Sequence, residues 1–299
     1  MEGEPIEKGP IGIFDSGYGG LTILSKIRRL LPEYDYIYMG DNARAPYGTR
    51  SFDSVYRFTR EAVFDLFDRG CRLVILACNT ASAKALRTIQ QIDLPKRDPS
   101  RRVLGVIRPT VEAVEAITKT GVVGVFATPG TIASESYRLE IEKIHPGFTT
   151  IGQSCPMWVP LIENNETDNA GAEFFIKKYT DELMSKSASI DTVILGCTHY
   201  PLIGKAIARH LPKRIKIIEQ GEIVASSLKD YLHRHPEIET RCSKGSSIEY
   251  LTTDDEKRFD RLASYFLKEE VNSRRVIIEH NDRNNRGNGQ GVESPSATN

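Results

Sequence analysis

Short apolar runs alternate with helical patterns along this 299-residue chain, which predicts an α/β fold with mostly parallel sheets flanked by helices. Runs such as LVILA (73–77) and VVGVFA (122–127) show little polar alternation, as expected for strands covered by helices on both faces. The motif IGIFDSGYGG at 11–20 has a counterpart in VGVFATPGTI at 123–132, and VILACNT at 74–80 has one in VILGCTH at 193–199. This internal repetition predicts two similar lobes related by a pseudo-twofold axis.

The individual elements follow in chain order, each bounded by a polar or glycine-rich turn. The first half contains IGIF (11–14) before LTILSKIRRLL (21–31), YDYIYM (34–39) before the loop GDNARAPYG, LVILA before NTASAKALRTIQ (79–90), and VLGVI (103–107) before RPTVEAVEAI (108–117). The second half contains the strands VVGVFA, VILG (193–196) and IKIIE (215–219). Strands separated by helices of this length are typical of βαβ units.

A polar segment, LPKRDPSRR at 94–102, suggests where one lobe ends and the other begins. We therefore expect lobe 1 to comprise residues 1–100 together with 214–270, and lobe 2 to comprise residues 101–213. The segment 271–299 is rich in Asn, Gly and Ser and poor in apolar residues, so a disordered tail is predicted there.

Composition excludes several classes of function. The chain has 40 basic and 40 acidic residues, so nothing in its net charge favours nucleic acid as a partner. No apolar run is long enough to predict a membrane span, and the polar N-terminus MEGEPIEKG does not resemble a secretory signal. Five cysteines without a CxxC spacing argue against a disulfide framework and for the reducing cytoplasm.

Two of the cysteines occupy matching places in the repeat. Cys78 and Cys197 each follow an apolar strand and precede polar residues that open a helix. Ligands bind beyond the carboxyl ends of strands in open α/β sheets, and a helix N-terminus favours a thiolate. We therefore expect both thiols in one active-site cleft between the lobes. Cys71, Cys155 and Cys242 lack this context and are interpreted as packing residues.

Two thiols across one cleft allow three kinds of chemistry: a redox disulfide, a metal site or a pair of proton carriers. A redox pair is usually closer in sequence, and a metal would find only His199 as a third ligand. Proton transfer requires only that the two thiols flank a carbon acid, so that one removes a proton and the other delivers one to the opposite face.

Five motifs in order resemble those of glutamate racemases, members of the aspartate/glutamate racemase family: FDSGYGGLT (14–22), APYGTRS (45–51), ACNTASA (77–83), GVIRPT (105–110) and GCTHYPL (196–202). The resemblance implies racemisation of free L- and D-glutamate by two bases without cofactor or metal, supplying D-glutamate for peptidoglycan. It also implies a cytoplasmic homodimer. Alternatives within and outside this chemistry are an aspartate racemase and a catalytically silent amino-acid-binding protein.

The resemblance also implies roles for individual residues. Cys78 takes the proton from D-glutamate and Cys197 takes it from L-glutamate. Asp15, His199 and Glu163 assist the thiols, with Glu163 assigned from the segment CPMWVPLIE (155–163). The substrate contacts implied by the motifs are Asp15, Ser16, Pro46, Tyr47, Gly48, Asn79, Thr80, Thr128, Thr131, Thr198 and His199. Ala127, Trp158 and the segment ENNETDN (163–169) depart from the usual family pattern, the last of them directly after Glu163.

Overall fold

The computed structural model describes residues 7–278, in which the strands form two parallel sheets. The strands are β1 (Ile11–Asp15), β2 (Tyr36–Gly40), β3 (Leu73–Leu76), β4 (Arg102–Gly105), β5 (Val122–Ala127), β6 (Thr149–Ser154), β7 (Thr192–Gly196), β8 (Lys216–Ile218), β9 (Ile248–Thr252) and β10 (Ser273–Arg275). The first sheet has the order β10-β9-β2-β1-β3-β4, and the second has the order β6-β5-β7-β8.

The two sheets share one topology. The order β2-β1-β3-β4 in the first sheet matches β6-β5-β7-β8 in the second, and every pairing is parallel. The prediction of an α/β fold with parallel sheets is confirmed. Because β1 matches β5 and β3 matches β7, the two cysteine motifs follow equivalent strands.

Helices cover the sheets. They are α1 (Leu21–Leu30), α2 (Phe52–Asp68), α3 (Asn79–Lys84), α4 (Leu86–Thr88), α5 (Leu94–Arg97), α6 (Ile107–Glu112), α7 (Pro129–Ala133), α8 (Ser136–Ile144), α9 (Trp158–Glu163), α10 (Ala170–Lys186), α11 (Gly204–His210), α12 (Gln220–Arg234), α13 (Pro236–Glu239) and α14 (Glu256–Leu267). Short 3₁₀ turns span Asn42–Arg44, Tyr47–Thr49 and Tyr200–Ile203, and a π-helical turn spans Ile89–Asp93. No helix in residues 7–278 is long and apolar enough to cross a membrane.

The central strands are continuously apolar because both of their faces are buried. In the first sheet, one face packs against α1, α12 and α14, and the other packs against α2. Neighbouring residues of β1 therefore enter opposite cores: Ile13 packs on the α1 side and Phe14 on the α2 side. Burial of such side chains contributes roughly 2 kcal/mol each, which makes these strands rigid supports for the loops at their ends.

Two edge strands belong to a different lobe from the one expected. Residues 102–105 were assigned to the second lobe, but β4 pairs with β3 in the first sheet. Residues 216–218 were assigned to the first lobe, but β8 pairs with β7 in the second. In both cases the chain crosses between sheets after the strand rather than in the polar loop before it, so the loop at 94–102 marks the turn into β4 and not the crossing.

The predicted tail also begins too early. Residues 273–275 form β10, which adds a parallel edge strand beside β9, and Val271 and Val276 on either side are buried. An edge strand is held by backbone hydrogen bonds, so a polar composition such as Ser-Arg-Arg does not prevent it. Residues 279–299 of the predicted tail lie outside the described residues.

Candidate active site

The carboxyl ends of both sheets open onto one cavity. Loops after β1, β2 and β3 form one wall, and loops after β5, β6 and β7 form the other, as predicted for ligand sites of parallel sheets. The cavity is lined by Ser16, Ala45, Pro46, Tyr47, Gly48, Thr49, Cys78, Asn79, Thr80, Thr128, Pro129, Cys155, Pro156, Val159, Pro160, Glu163, Cys197, Thr198 and His199. The structure therefore brings together all the expected site residues except Asp15 and Thr131, which lie directly behind this lining.

Cys78 caps the N-terminus of α3. Its Sγ atom accepts a hydrogen bond from the Ala81 N–H at 3.4 Å and lies 3.4 Å from the hydroxyl of Ser16. Burial, followed by the nearby Asp15 carboxylate, raises the pKa of the Cys78 thiol to about 12, and the contacts with Ser16 and Ala81 oppose that shift. Cys78 is therefore a protonated thiol at neutral pH.

Asp15 lies behind Ser16 at the end of β1 and is only 1% exposed. Its Oδ2 atom accepts the Gly17 N–H at 2.9 Å, whereas its buried Oδ1 atom has no hydrogen-bond partner among the described residues. Burial raises the pKa of the Asp15 carboxyl, although the nearby His199 acts in the opposite direction. A carboxyl in this environment accepts a proton more readily than an exposed aspartate does.

Cys197 has a different set of partners. Its Sγ atom lies 3.8 Å from Nδ1 of His199, and Nε2 of His199 lies 3.0 Å from Oε1 of Glu163. Burial lowers the pKa of His199, but the contacts with Cys197 and Glu163 outweigh it and raise that pKa well above its usual value. The imidazole thus connects a carboxylate to a thiol.

Trp158, which departs from the family pattern, lies on the same helix as Glu163. Trp158 begins α9, and its fully buried ring packs 5.0 Å from the Phe126 ring and 4.8 Å from the Tyr200 ring, measured between centroids. Tyr200 directly follows His199, and Glu163 ends α9. The aromatic cluster therefore connects the helix that carries the carboxylate to the turn that carries the imidazole.

Three threonine hydroxyls meet across the two halves of the cavity. Thr80 Oγ1 lies 3.0 Å from Thr128 Oγ1 and 3.1 Å from Thr131 Oγ1, and the last two atoms are 3.1 Å apart. Hydroxyl protons rotate, so such a cluster can turn its donors toward an anion that enters the cavity. Thr128 also caps α7, as Cys78 caps α3.

Close approach of the motifs requires glycine at two positions. A Cβ atom on Gly19 would lie 2.3 Å from Thr198 Oγ1 and 2.4 Å from His199 Nδ1. A Cβ atom on Gly48 would lie 2.8 Å from the Cβ atom of Thr128. The loops DSGYGG and APYG can therefore pack against the opposite half only because these residues lack side chains.

Asn79, one of the expected substrate contacts, has most of its side-chain hydrogen-bonding capacity engaged within the protein. Its Nδ2 atom donates to Gln220 Oε1 at 2.6 Å, and its Oδ1 atom accepts the hydroxyl of Tyr137 at 2.7 Å. One side-chain N–H and the backbone N–H remain for the cavity. Sequence reasoning did not select Gln220 or Tyr137, because each belongs to an amphipathic helix with no motif around it.

Sequence reasoning also assigned Cys155 to packing alone. The residue is buried, and its thiol lies 3.6 Å from the Gln153 carbonyl, yet it also borders the cavity. All five cysteines are free thiols. Within residues 7–278, no cluster of His, Cys, Asp and Glu is arranged to hold a metal ion.

Known proteins share this sequence and this architecture. The sequence model of the Asp/Glu/Hydantoin racemase family matches residues 11–228. The glutamate racemase of Ruegeria pomeroyi is 41% identical over 273 residues, covering 87% of this chain and 97% of that protein. The glutamate racemase of Geobacter metallireducens is 40% identical over 258 residues, covering 86% and 92%.

Solved structures of glutamate racemases share the fold of this chain. Glutamate racemase from Francisella tularensis, crystallised with D-glutamate, superposes with a TM-score of 0.80 at 34% identity, covering 90% of this chain and 98% of that one. Glutamate racemase isoform RacE1 from Bacillus anthracis also gives a TM-score of 0.80, at 32% identity and with 90% and 97% coverage. The chain belongs to the Asp/Glu/Hydantoin racemase family.

Proposed function

We propose that this chain is a glutamate racemase that moves protons through Cys78 and Cys197. The observation that carries the proposal is the placement of two buried thiols at equivalent strand ends of two matching sheets, in the wall of one cavity. A substrate whose Cα lies between the thiols can lose a proton to one sulfur and gain one from the other. This inverts the carbon and requires no group outside the chain.

The surroundings of the thiols suggest which one starts as the base. Cys78 is protonated at neutral pH, as its raised pKa requires. The raised pKa of His199 favours an imidazolium on the Cys197 side of the cavity. We therefore assign the protonated Cys78 as the acid for L-glutamate: Cys197 removes the Cα proton and Cys78 supplies one to the opposite face.

The reverse direction needs the opposite protonation state. Asp15 lies near Cys78, and its raised pKa makes it a suitable acceptor for the thiol proton before D-glutamate reacts. On the other side, His199 can return a proton to Cys197. Each thiol thus has an acid–base partner of its own, which the removal of a weakly acidic Cα proton requires.

The neutral donors of the cavity suit a substrate with two carboxylates. Among residues 7–278, no lysine or arginine lines the cavity, so hydroxyl and amide groups would hold the anions, including the threonine cluster of Thr80, Thr128 and Thr131. Such fixed donors, shielded from water, also stabilise the charge that develops as the proton leaves. We assign the side-chain carboxylate to the threonine cluster, because it places three hydroxyl groups within 3.1 Å of one another.

We further propose that the enzyme supplies D-glutamate for bacterial peptidoglycan as a cytoplasmic homodimer. The bacterial glutamate racemases that resemble it support the first point, and five unpaired cysteines fit a reducing compartment. Sedimentation of the full chain at micromolar concentration tests the dimer; a single monomeric species would contradict it.

The reaction is tested by incubating the purified chain with each glutamate enantiomer in D₂O without added cofactor. Loss of optical rotation, with one deuterium at Cα of the inverted product, is expected in both directions. Inversion without deuterium would exclude proton transfer. Racemisation of aspartate in preference to glutamate would identify the alternative substrate, and saturable binding of glutamate without turnover would identify a silent binding protein.

A further inference from the structure

A closed ring of hydrogen bonds lies directly behind Cys78. Asn79 Nδ2 donates to Gln220 Oε1 at 2.6 Å, Gln220 Nε2 donates to the Tyr137 hydroxyl at 2.9 Å, and that hydroxyl donates to Asn79 Oδ1 at 2.7 Å. Each member donates to the next, so the three bonds support a single orientation of the Asn79 amide.

The ring is buried and joined to both halves of the molecule. Asn79, Tyr137 and Gln220 are each less than 5% exposed. Asn79 begins α3 after the first-sheet strand β3, and Tyr137 lies on α8 after the second-sheet strand β5. Gln220 begins α12, where the chain returns from the second sheet to the first.

Gln220 has a second anchor within the same region. Its Nε2 atom also donates to Thr110 Oγ1 at 2.9 Å, and Thr110 in turn donates to the Val106 carbonyl at 2.7 Å. Val106 follows β4, where the chain first crosses between the sheets. Gln220, which itself lies at the second chain crossing, therefore bonds to a residue at the first crossing and to the residue next to the thiol.

The orientation of the Asn79 amide has a consequence for the cavity that Asn79 borders. One N–H of Nδ2 is taken by Gln220, and the other has no acceptor among residues 7–278. If the amide rotated by half a turn, its oxygen would replace that N–H and would repel a substrate carboxylate. A buried polar group held in one orientation is a preorganised donor.

We propose that Gln220 and Tyr137 are positioning residues for the proton transfer at Cys78. They hold the Asn79 amide with an N–H toward the substrate and keep the turn that carries the Cys78 thiol in register with the second half. The inference rests on the proposed racemisation. It assigns these residues to the proton transfer at Cys78, because Asn79 directly follows Cys78, whereas among residues 7–278 no member of the ring hydrogen-bonds to Cys197. Tyr137 borders Gly196, next to Cys197, with its ring carbons, which Tyr137→Phe retains.

The test compares Tyr137→Phe and Gln220→Met with a matched control, Tyr36→Phe. Tyr36 is also a buried tyrosine whose hydroxyl donates a hydrogen bond, to the Leu31 carbonyl at 2.6 Å, but it lies at the start of β2, away from the cavity. For each variant, kcat and KM are measured in both directions, together with the isotope effect on kcat/KM for Cα-deuterated D- and L-glutamate and the melting temperature.

We expect kcat to fall about tenfold in Tyr137→Phe and about a hundredfold in Gln220→Met, because the second change removes the hydrogen bonds of Gln220 to Asn79, Tyr137 and Thr110. The Cys78 step then limits both directions. The isotope effect therefore rises for deuterated D-glutamate, whose label Cys78 removes, and falls toward unity for deuterated L-glutamate. Tyr36→Phe is expected to lower the melting temperature without changing either isotope effect.

Unchanged isotope effects in Tyr137→Phe, or a loss of kcat matched by Tyr36→Phe, would show that the ring only stabilises the fold and would overturn the proposal. If Gln220→Met does not fold, the isotope effects and kcat of Tyr137→Phe are sufficient to test the proposal. These outcomes differ from failure of the proposed function, which would appear as a wild-type chain that does not racemise glutamate.

Discussion

The two halves of the molecule place a thiol at the same point of the same strand order, but they surround it differently. Cys78 has a hydroxyl and a buried carboxylate nearby, from Ser16 and Asp15. Cys197 has an imidazole that is bonded to a carboxylate, from His199 and Glu163. The shared topology sets where a thiol lies, and the loops that differ between the halves set its acid–base partner.

The difference has a chemical use in the proposed reaction. Two bases that act on opposite faces of one carbon must be in opposite protonation states at the start of each turnover. Two thiols in the same protonation state cannot complete an inversion, because two protonated thiols lack a base and two ionised thiols lack an acid. Unlike partners allow one thiol to remain protonated while the other is ionised.

The largest effect is expected from removing either thiol. Cys78→Ser and Cys197→Ser should each lower racemisation by on the order of 10³-fold or more, because a serine hydroxyl is a far weaker base and acid at neutral pH. Slow Cα exchange in D₂O should survive for one enantiomer only: L-glutamate in Cys78→Ser and D-glutamate in Cys197→Ser, followed by NMR.

Cys71→Ser is the matched control for this pair. Cys71 is a fully buried thiol of the first half and does not border the cavity, so racemisation is expected to continue near the wild-type rate. Exchange of the same enantiomer in both cysteine variants would contradict the assignment of one thiol to each face.

A smaller effect, confined to one side, is expected from Glu163→Gln. The amide no longer favours the imidazolium of His199, so the Cys197 step slows and kcat falls about 10- to 100-fold. The isotope effect should rise for deuterated L-glutamate, the reverse of the pattern expected for Tyr137→Phe. Glu166→Gln, an exposed glutamate just after α9, serves as the control and should leave both values unchanged.

The His199 contacts predict a pH-dependent stability. The pKa of His199 is raised in the folded chain, so the stabilising contribution is fully present below about pH 6.5 and is lost as the pH rises through the folded pKa. Urea unfolding of wild type and His199→Gln should show the largest difference in unfolding free energy near pH 6. A difference in unfolding free energy that grows with pH would contradict the proposed contacts. In a Glu163→Gln background, the pH dependence of this difference should be weaker.

The smallest effect is expected at Asp15. Its raised pKa means that the folded state loses stability as the carboxyl ionises, and one of its buried oxygens has no hydrogen-bond partner in residues 7–278. Asp15→Asn should therefore gain stability relative to wild type as the pH rises from about 4, reaching about 1 kcal/mol near neutral pH, while racemisation falls. Urea unfolding of both proteins across this pH range measures the difference in unfolding free energy. An Asp15→Asn variant less stable than wild type at pH 7 would contradict the prediction.

Local patterns were sufficient for the fold and for much of the candidate site. Apolar runs followed by glycine-rich or polar turns mark β1, β3, β5 and β7, because strand and turn preferences depend on neighbouring residues. Since parallel strands end at one edge of a sheet, the same patterns placed Cys78 and Cys197 at a common cleft. The roles expected of the other residues came from the resemblance of five motifs to a known family.

Local patterns did not predict how the edge strands pair or which distant side chains contact one another. The strands β4, β8 and β10 are short and lie at sheet edges, and nothing in their sequences indicates which sheet they join, so the lobe boundaries and the predicted tail were misplaced by several residues. Such strands are stabilised by the neighbour with which they pair, a contact that their own residues do not encode.

By itself, then, the sequence determined the duplicated α/β architecture and the two cysteines at its strand ends. Only the tertiary structure decided that Glu163 reaches His199 and that Gln220 and Tyr137 hold Asn79. The reason is physical: these partners lie 36, 141 and 58 residues apart in the chain. Their geometry is set by how α8, α9 and α12 pack on the sheets, and the packing of distant elements leaves no local pattern in the sequence.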